Sequence, residues 1–491
     1  MLQLTNKKIP WQLILVVFFG FGLLSGIIYK ASHTSFTHDE SYTYTHYVHQ
    51  CFMDIISYKT PYLNNHILNS LSIKYSEAFF GSSELALRLG SVLAFVIYST
   101  YIILLFYKYC PKFILPFYLL MTLNPYLLDF FTLARGYGLS IAFMTMSIYY
   151  ICIHFTSQKN KHLILFNVGA FLSVMSNFSM LNYYASALIV YNIISFLVLK
   201  HNASNSEKRC NFYKLNKINT ISVILSGMIL YEPLRRISKM SLLDFGGKKG
   251  FLEDTVSSVI YDVFYEAGID SYMMSLKVFT ILVFVSSFII IIKHIKQKDV
   301  AFFKTHGAFV FVNLVLWCIV CVTNIQHFVL NNDFNMHRFA LFLYPLFILN
   351  FVFLISYFYH CSFKKITLSI SFICALLLLV NLYENHSLTY YKDWKWDKDT
   401  KLMMQSLVVE HEKNPEKQIR LGVNWLLEPS TNFYRYTWQL NWLNPTNRKG
   451  VSKYDDYWCI FKNDKEYGAI ASKRIIYLNE QSESVLLKNS D

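Results

Sequence analysis

The stretch WQLILVVFFGFGLLSGIIY, residues 11–29, is followed at 37–42 by Thr-His-Asp-Glu-Ser-Tyr, and the two together decide what kind of molecule this is. The first part carries no charge, and about 20 such residues cross the roughly 30 Å hydrocarbon core of a bilayer as one helix. No small-residue cleavage site follows it, so it reads as a retained helix rather than a removed signal peptide. Asp39 and Glu40 then stand just beyond the span, where an ionisable side chain can face a cavity at the membrane boundary.

Outward from this stretch the same apolar block length recurs. Further spans are expected near 84–107, 112–128, 137–156, 163–179, 181–199, 219–234, 272–292, 303–323, 339–359 and 366–384, eleven with the first. Composition agrees: of 491 residues, 54% are apolar, 18% aromatic and 15% charged, against a charged share of about 25% in soluble domains. That excludes an ordinary cytosolic enzyme, and 17 Gly with 10 Pro excludes collagen-like and low-complexity chains. The net charge of +14 is explained by its location. Loops 1–10, 107–112, 157–162, 200–219, 293–304 and 360–365 carry 17 Lys/Arg and 2 acids, whereas the opposite loops carry 10 Lys/Arg and 14 acids. This is the positive-inside pattern and not a phosphate-backbone footprint, so no nucleic-acid partner is expected. An odd number of spans puts the N-terminus in the cytoplasm, beside Lys7 and Lys8, and the C-terminal part outside. Of nine cysteines, seven fall in spans or inner loops, which argues against a disulfide framework; Cys318 and Cys321 read as a packed thiol pair.

The expected organisation is a transmembrane part, 1–385, whose first outer loop, 30–83, holds the acidic pair, and a small soluble α/β part, 386–491. Segments 41–56 and 66–80 of the loop space Tyr, Leu and Phe as helices lying on the membrane surface. The tail carries 16 Lys/Arg and 14 acids, with a helix expected over 397–412 and strands over 418–423, 454–461 and 474–478. Its Trp394, Trp396, Trp425, Trp438, Trp442 and Trp458 suit either ordinary core packing or stacking on sugars.

Four constellations sit at span ends on the outer side: Asp39-Glu40; Asn64-Asn65-His66 with Phe80-Gly81-Ser82-Ser83-Glu84 running into Leu87-Arg88-Leu89; Asn124-Pro125-Tyr126 and Asp129 with Ala134-Arg135-Gly136-Tyr137; and His337-Arg338-Phe339-Ala340 leading to Tyr344-Pro345. Each has an ordinary reading alone: a capping Asp, a helix-start histidine, an Asp129–Arg135 ion pair, a cation reaching the interface. Their convergence on one side of the membrane is the informative feature.

On these elements, over roughly residues 10–360, the chain resembles the GT-C type membrane glycosyltransferases, in the glycosyltransferase family 39-related branch of protein O-mannosyltransferases and lipid A aminoarabinose transferases. It departs from the commoner pattern in having Ile67, where relatives often carry Pro after the histidine. The resemblance implies a polytopic α-helical GT-C fold at the bacterial inner membrane, among membrane lipids. It implies transfer of a monosaccharide, mannose-like or related, from a polyprenyl-phosphate donor to a hydroxyl of a lipid, glycan or protein acceptor at the outer face, with inversion. Asp39 would then be the base, with Glu40 as a supporting carboxylate. Arg135 and Arg338 would hold the lipid phosphate as its charge grows, and His66, Tyr137 and Asp129 would orient phosphate or sugar hydroxyls. No cofactor is firmly implied; a divalent metal on His66 with Asp39 or Glu40 is an open alternative. Glycoside hydrolysis is disfavoured, because two adjacent carboxylates poorly flank a sugar from opposite faces. The competing readings are a transporter or flippase of a lipid-linked saccharide, whose signature would be charge in mid-span, and a binding protein.

Overall fold

The computed structural model describes residues 11–60, 62, 64–201, 206–239, 246–265, 268–465, 467 and 473–489. The chain is a polytopic helical membrane protein with a small sheet at its C-terminal end. α1 (Trp11–His33) leads into the first outer loop, which holds α2 (His38–Thr43), a π-helical segment (Tyr44–Val48), α3 (Phe52–Ile56) and α4 (Ile67–Phe80). Then come α5 (Glu84–Tyr109), α6 (Ile114–Thr122), α7 (Pro125–Thr132), α8 (Gly136–Ser157), α9 (Asn160–Ser176), α10 (Leu181–His201) and α11 (Ser206–Ile237). A second π-helical segment (Phe251–Val256) precedes α12 (Ser257–Val263), α13 (Asp270–Lys296), α14 (Val300–Leu330), α15 (Leu343–His360) and α16 (Lys364–Asn385).

Every expected span falls on a helix, but not all helices can cross alone. Among the described residues seven are long and apolar enough, and the bent pair α6–α7, broken by 69°, would make an eighth. The break has a local cause. Pro125 has no N–H to give the preceding turn, and the Asn124 side chain instead accepts from Leu127 N at 3.1 Å, starting a new helix. The spans expected at 163–179, 181–199 and 219–234 correspond to α9, α10 and α11, which do not meet that standard; α9 has only 17 residues.

Beyond α16, a short 3-10 turn (Lys392–Asp397) lies against the helices, followed by α17 (Thr400–His411) and α18 (Glu428–Thr437). Strands β1 (Leu421–Val423), β2 (Tyr457–Phe461), β3 (Arg474–Leu478) and β4 (Ser484–Lys488) form one sheet in the order β1-β2-β4-β3, with β1–β2 parallel and the other pairs antiparallel. The expected helix and three strands are present, β1 beginning later than expected and β4 and α18 being additions. Both additions are short, α18 being amphipathic and β4 buried along nearly its whole length, and tertiary contacts set them. α18 brings Phe433 onto Phe36 of the first loop, ring centroids 4.2 Å apart, and Tyr44 adds an edge contact at 5.1 Å. Loop and tail therefore share one apolar core, with Leu407, Val423 and Leu486 behind them. The eight described cysteines are free, and Cys321 of the CxxC is exposed rather than packed.

Candidate active site

The site begins with how α2 is held. Thr37 starts the helix, and its N–H donates to Glu40 Oε2 at 2.9 Å, a helix-start exchange that sequence spacing allows. Arg88, on α5, meets the same carboxylate with Nε to Oε1 at 2.8 Å and Nη2 to Oε2 at 2.7 Å, while Ala134 N–H donates to Oε1 at 2.5 Å. Arg88 Nη1 and Nη2 also donate to the carbonyls of Ala31, Thr34 and Ser35. Glu40 and Arg88 are both fully buried. Glu40, expected to support or orient Asp39, has both its oxygens taken by protein donors, so it anchors the helix that carries Asp39 and does not itself face the cavity.

Asp39 turns the other way. Its Oδ2 faces Arg135 Nη2 and Arg338 Nη2, each at 3.5 Å, and the side chain is 18% exposed. Burial pushes the Asp39 carboxyl up, but Arg135 and Arg338 outweigh it and hold the group below the usual carboxylate range. Its carbonyl accepts from Asn64 Nδ2 at 2.8 Å, and Arg135 Nη1 reaches Thr43 Oγ1 and the Asn64 carbonyl at 3.3 and 3.4 Å. Arg135 is nearly completely buried, and its Nε has no hydrogen-bond partner. The 3.5 Å contacts exceed the 2.7–2.9 Å usual for charge-assisted bonds, so neither arginine is closed on the carboxylate.

His66 caps the start of α4. Its Nδ1 lies 3.0 Å from the Ser176 carbonyl, so Nδ1 carries the proton and Nε2 is the acceptor; that Nε2 is buried and unpartnered. Burial, with the positive field of Arg135, holds His66 well below its ordinary range and hence neutral. Its ring packs edge-on to Tyr137, centroids 5.0 Å apart. Gly136 allows this approach: a Cβ there would lie 1.8 Å from the Ser176 carbonyl oxygen and 2.8 Å from His66 Cβ. Asp39, Arg135, Arg338, His66 and Tyr137 are thus brought together.

Asp129 is not with them. It is buried against Lys30, Nζ to Oδ1 at 2.5 Å, and accepts from the Tyr265 hydroxyl at 2.7 Å. Asp129, expected to orient phosphate or sugar hydroxyls, lies instead in a buried ion pair that joins α7 to α1, and Arg135 pairs with Asp39 and not with Asp129. Nor does His66 share a cation site with Asp39 and Glu40: among the described residues no group of three or more His, Cys, Asp or Glu could hold a metal.

Sequence reading missed the contribution of the tail's first turn. Trp394 lies under Arg338, whose Cζ is 5.0 Å from the ring centroid, and its side chain hydrogen-bonds Asp39. Asp393 takes the other end of the guanidinium, Nη1 to Oδ2 at 3.7 Å, and accepts from the Tyr126 hydroxyl at 2.7 Å. Lys392 reaches Asp262 on α12 at 2.6 Å, and Asp262 also faces His337 at 3.2 Å. The only signal for these was a Lys-Asp-Trp run just after the last span. On the far side of α12, Val259 and Val263 line an apolar cavity of about 500 Å³, with Phe284, Phe347 and Phe351; Asn381 and Glu384 are polar members of its wall.

Two solved structures match nearly the whole chain. ArnT from Cupriavidus metallidurans bound to undecaprenyl phosphate is 9% identical with a TM-score of 0.44, covering 97% of this chain and 98% of that one. ArnT from the same organism in the apo state is 9% identical with a TM-score of 0.45 over the same shares. No protein-family model and no curated protein matches the sequence. The chemistry of the site therefore rests on its own residues.

Proposed function

We propose that the chain is a GT-C type glycosyltransferase that moves one sugar from a polyprenyl-phosphate donor to an acceptor hydroxyl at the outer face of the membrane. The observation that carries this reading is one carboxylate, Asp39, set between two arginines that are not closed on it. The acceptor oxygen attacks the anomeric carbon from the face opposite the phosphate. The bond from that carbon to the phosphate oxygen breaks, and lipid phosphate leaves with the electron pair. Asp39 takes the acceptor proton as the new bond forms. Arg135 and Arg338 stabilise the charge that grows on the leaving phosphate, in a setting drier than water.

Donor binding also tunes the base. A phosphate drawing Arg135 and Arg338 toward itself weakens their hold on Asp39, so its proton affinity rises only when the donor is in place. His66 Nε2 is placed to accept from a sugar hydroxyl, and Tyr137 shapes the same wall. The apolar cavity lined by α12 suits the isoprenoid chain, because it offers hydrocarbon contact of the length and character of such a chain. Residues 1–385 serve as the transmembrane catalytic part and 386–491 as an extracytoplasmic one, with the N-terminus cytoplasmic in a bacterial inner membrane. The sugar is mannose-like or related, and the acceptor a lipid, glycan or protein.

The test is reconstitution of the full chain with a radiolabelled panel of polyprenyl-phosphate sugars and an envelope acceptor fraction. Transfer by the native chain that is lost in Asp39→Asn supports the reading. Movement of label across the bilayer without a new glycoside would establish a transporter instead.

A further inference from the structure

A second pocket lies where the π-helical segment of the first loop meets α18. Its volume is about 290 Å³, and its walls include Tyr44, His46, His49, Glu428, Arg435 and Tyr436. Three aromatic rings form one corner: Tyr44 to His49 centroids are 4.9 Å apart, His49 to Tyr436 5.6 Å, and Tyr44 to Tyr436 6.1 Å. The ring planes are inclined to one another by 52–85°, with Tyr44 buried as the floor of the corner and Tyr436 its exposed ring. Tyr436 is 57% exposed although it is anchored by this corner. Arg435 also lines the pocket, and its Nε is buried with no hydrogen-bond partner, a donor left without an acceptor.

Neither the size nor the chemistry suits a lipid tail or a lone phosphate. The wall mixes cation and anion, since Glu428 stands near Arg435, held by Asn432 Nδ2 at 2.8 Å and Arg448 Nε at 3.2 Å. Aromatic faces beside a fixed carboxylate, a guanidinium and two imidazoles match a ligand that has C–H faces and hydroxyl edges. The volume is just below the roughly 300–1,000 Å³ of small-ligand pockets, which suits a single sugar unit. The π-helical turn contributes as well: it re-aims Tyr44 and His46 relative to an ordinary helix, and such segments are common at functional sites. The other π-helical segment of the described chain, Phe251–Val256, lines the apolar cavity.

We infer that the pocket between the π-helical segment and α18 binds a sugar unit, and that it is the subsite which holds the glycan of the acceptor while its hydroxyl reaches Asp39. The binding stands on the pocket alone; calling the ligand an acceptor rests on the proposed transfer reaction. Tail and first loop meet in this pocket, so recognition there requires the tail to be docked.

The full chain in lipid nanodiscs is probed by saturation-transfer NMR with methyl glycosides of mannose, glucose, galactose and N-acetylglucosamine. At least one glycoside receives saturation from the native chain, and the signal falls at least fivefold in Tyr436→Ala and in Arg435→Gln. It persists in Tyr436→Phe, which keeps the ring, and in Asp39→Asn. Absence of saturation with every glycoside overturns the inference, as does a signal that survives both pocket substitutions or is lost in Asp39→Asn alone. Where transfer is measurable, Tyr436→Ala raises the acceptor KM about tenfold and leaves kcat and the donor KM unchanged. A native chain that binds glycosides but transfers nothing removes the transferase reading and leaves the sugar site standing.

Discussion

Arg88 grips Glu40 through both Nε and Nη2, at 2.8 and 2.7 Å, while the neighbouring Asp39 faces Arg135 and Arg338 across 3.5 Å. One step along a helix start separates an anchored carboxylate from an available one, and the two should respond differently to substitution.

Removing one partner of the Glu40–Arg88 pair leaves a buried charge uncompensated, which costs about 3–5 kcal/mol. Glu40→Gln and Arg88→Met are each expected to lower the unfolding temperature in detergent sharply, and the double substitution to recover part of the loss. A Glu40→Gln protein of native stability that has lost transfer would move this residue back into the chemistry.

Asp39→Asn removes the proposed base and the carboxylate that faces two arginines. Transfer should fall about 10²–10⁴-fold, the usual worth of a positioned base. Donor phosphate should bind as tightly as before or more so, measured by titration of the purified protein with the lipid phosphate. Weaker donor binding in Asp39→Asn would contradict the assigned division of labour.

On the proposed mechanism, Arg135→Gln and Arg338→Gln each remove a charge-assisted contact to the leaving phosphate, worth about 1.5–3 kcal/mol. The expected loss in kcat/KM is about 10- to 100-fold for the donor, with the acceptor KM unaffected. Asp129→Asn supplies the contrast: it breaks the buried pair with Lys30, so thermal stability drops while the donor KM stays put.

Asp397 gives a pH dependence with a definite sign. Burial raises its carboxyl, from an ordinary 3.8 to about 7, against the donors Ser430, His38 N–H and Thr400. The folded state therefore binds more protons than the unfolded one between these values, and Asp397 favours folding below about pH 4 and loses that contribution as pH rises to about 7. Asp397→Asn can still accept from the His38 N–H, which lies 2.6 Å from Oδ2, and should flatten the stability curve over that range. Urea or thermal unfolding at pH 5 and pH 8 measures the difference, and an unchanged slope counts against a titrating Asp397.

Gly136→Ala should disturb the site without touching a charged group. The added methyl meets the Ser176 carbonyl and His66, so α8 and α9 must separate or His66 must swing away. Transfer is expected to drop more than tenfold with helical content unchanged by circular dichroism.

Much of this protein was determined by its sequence alone. Apolar blocks located the helices of the transmembrane part, since a bilayer requires such runs to satisfy their backbone hydrogen bonds internally, although among the described residues only seven, or eight with the bent α6–α7 pair, are long and apolar enough to cross. Convergence of Asp39, His66, Arg135 and Arg338 on one side followed from their positions at span ends. What tertiary structure decided was pairing. The Thr37-to-Glu40 spacing locally allows Glu40 to close the helix start, but it is Arg88, 48 residues on, that ties both its oxygens to the protein and leaves Asp39 to the cavity. Asp129 read like a site residue until Lys30 was found beside it. Trp394 and Asp393 reach the arginines only because the chain folds back after α16, and the glycan-sized pocket exists only where α18 packs on the first loop. Periodicity and hydrophobicity are carried by neighbours in the chain, whereas the partner of a buried charge is chosen by the packing of distant segments.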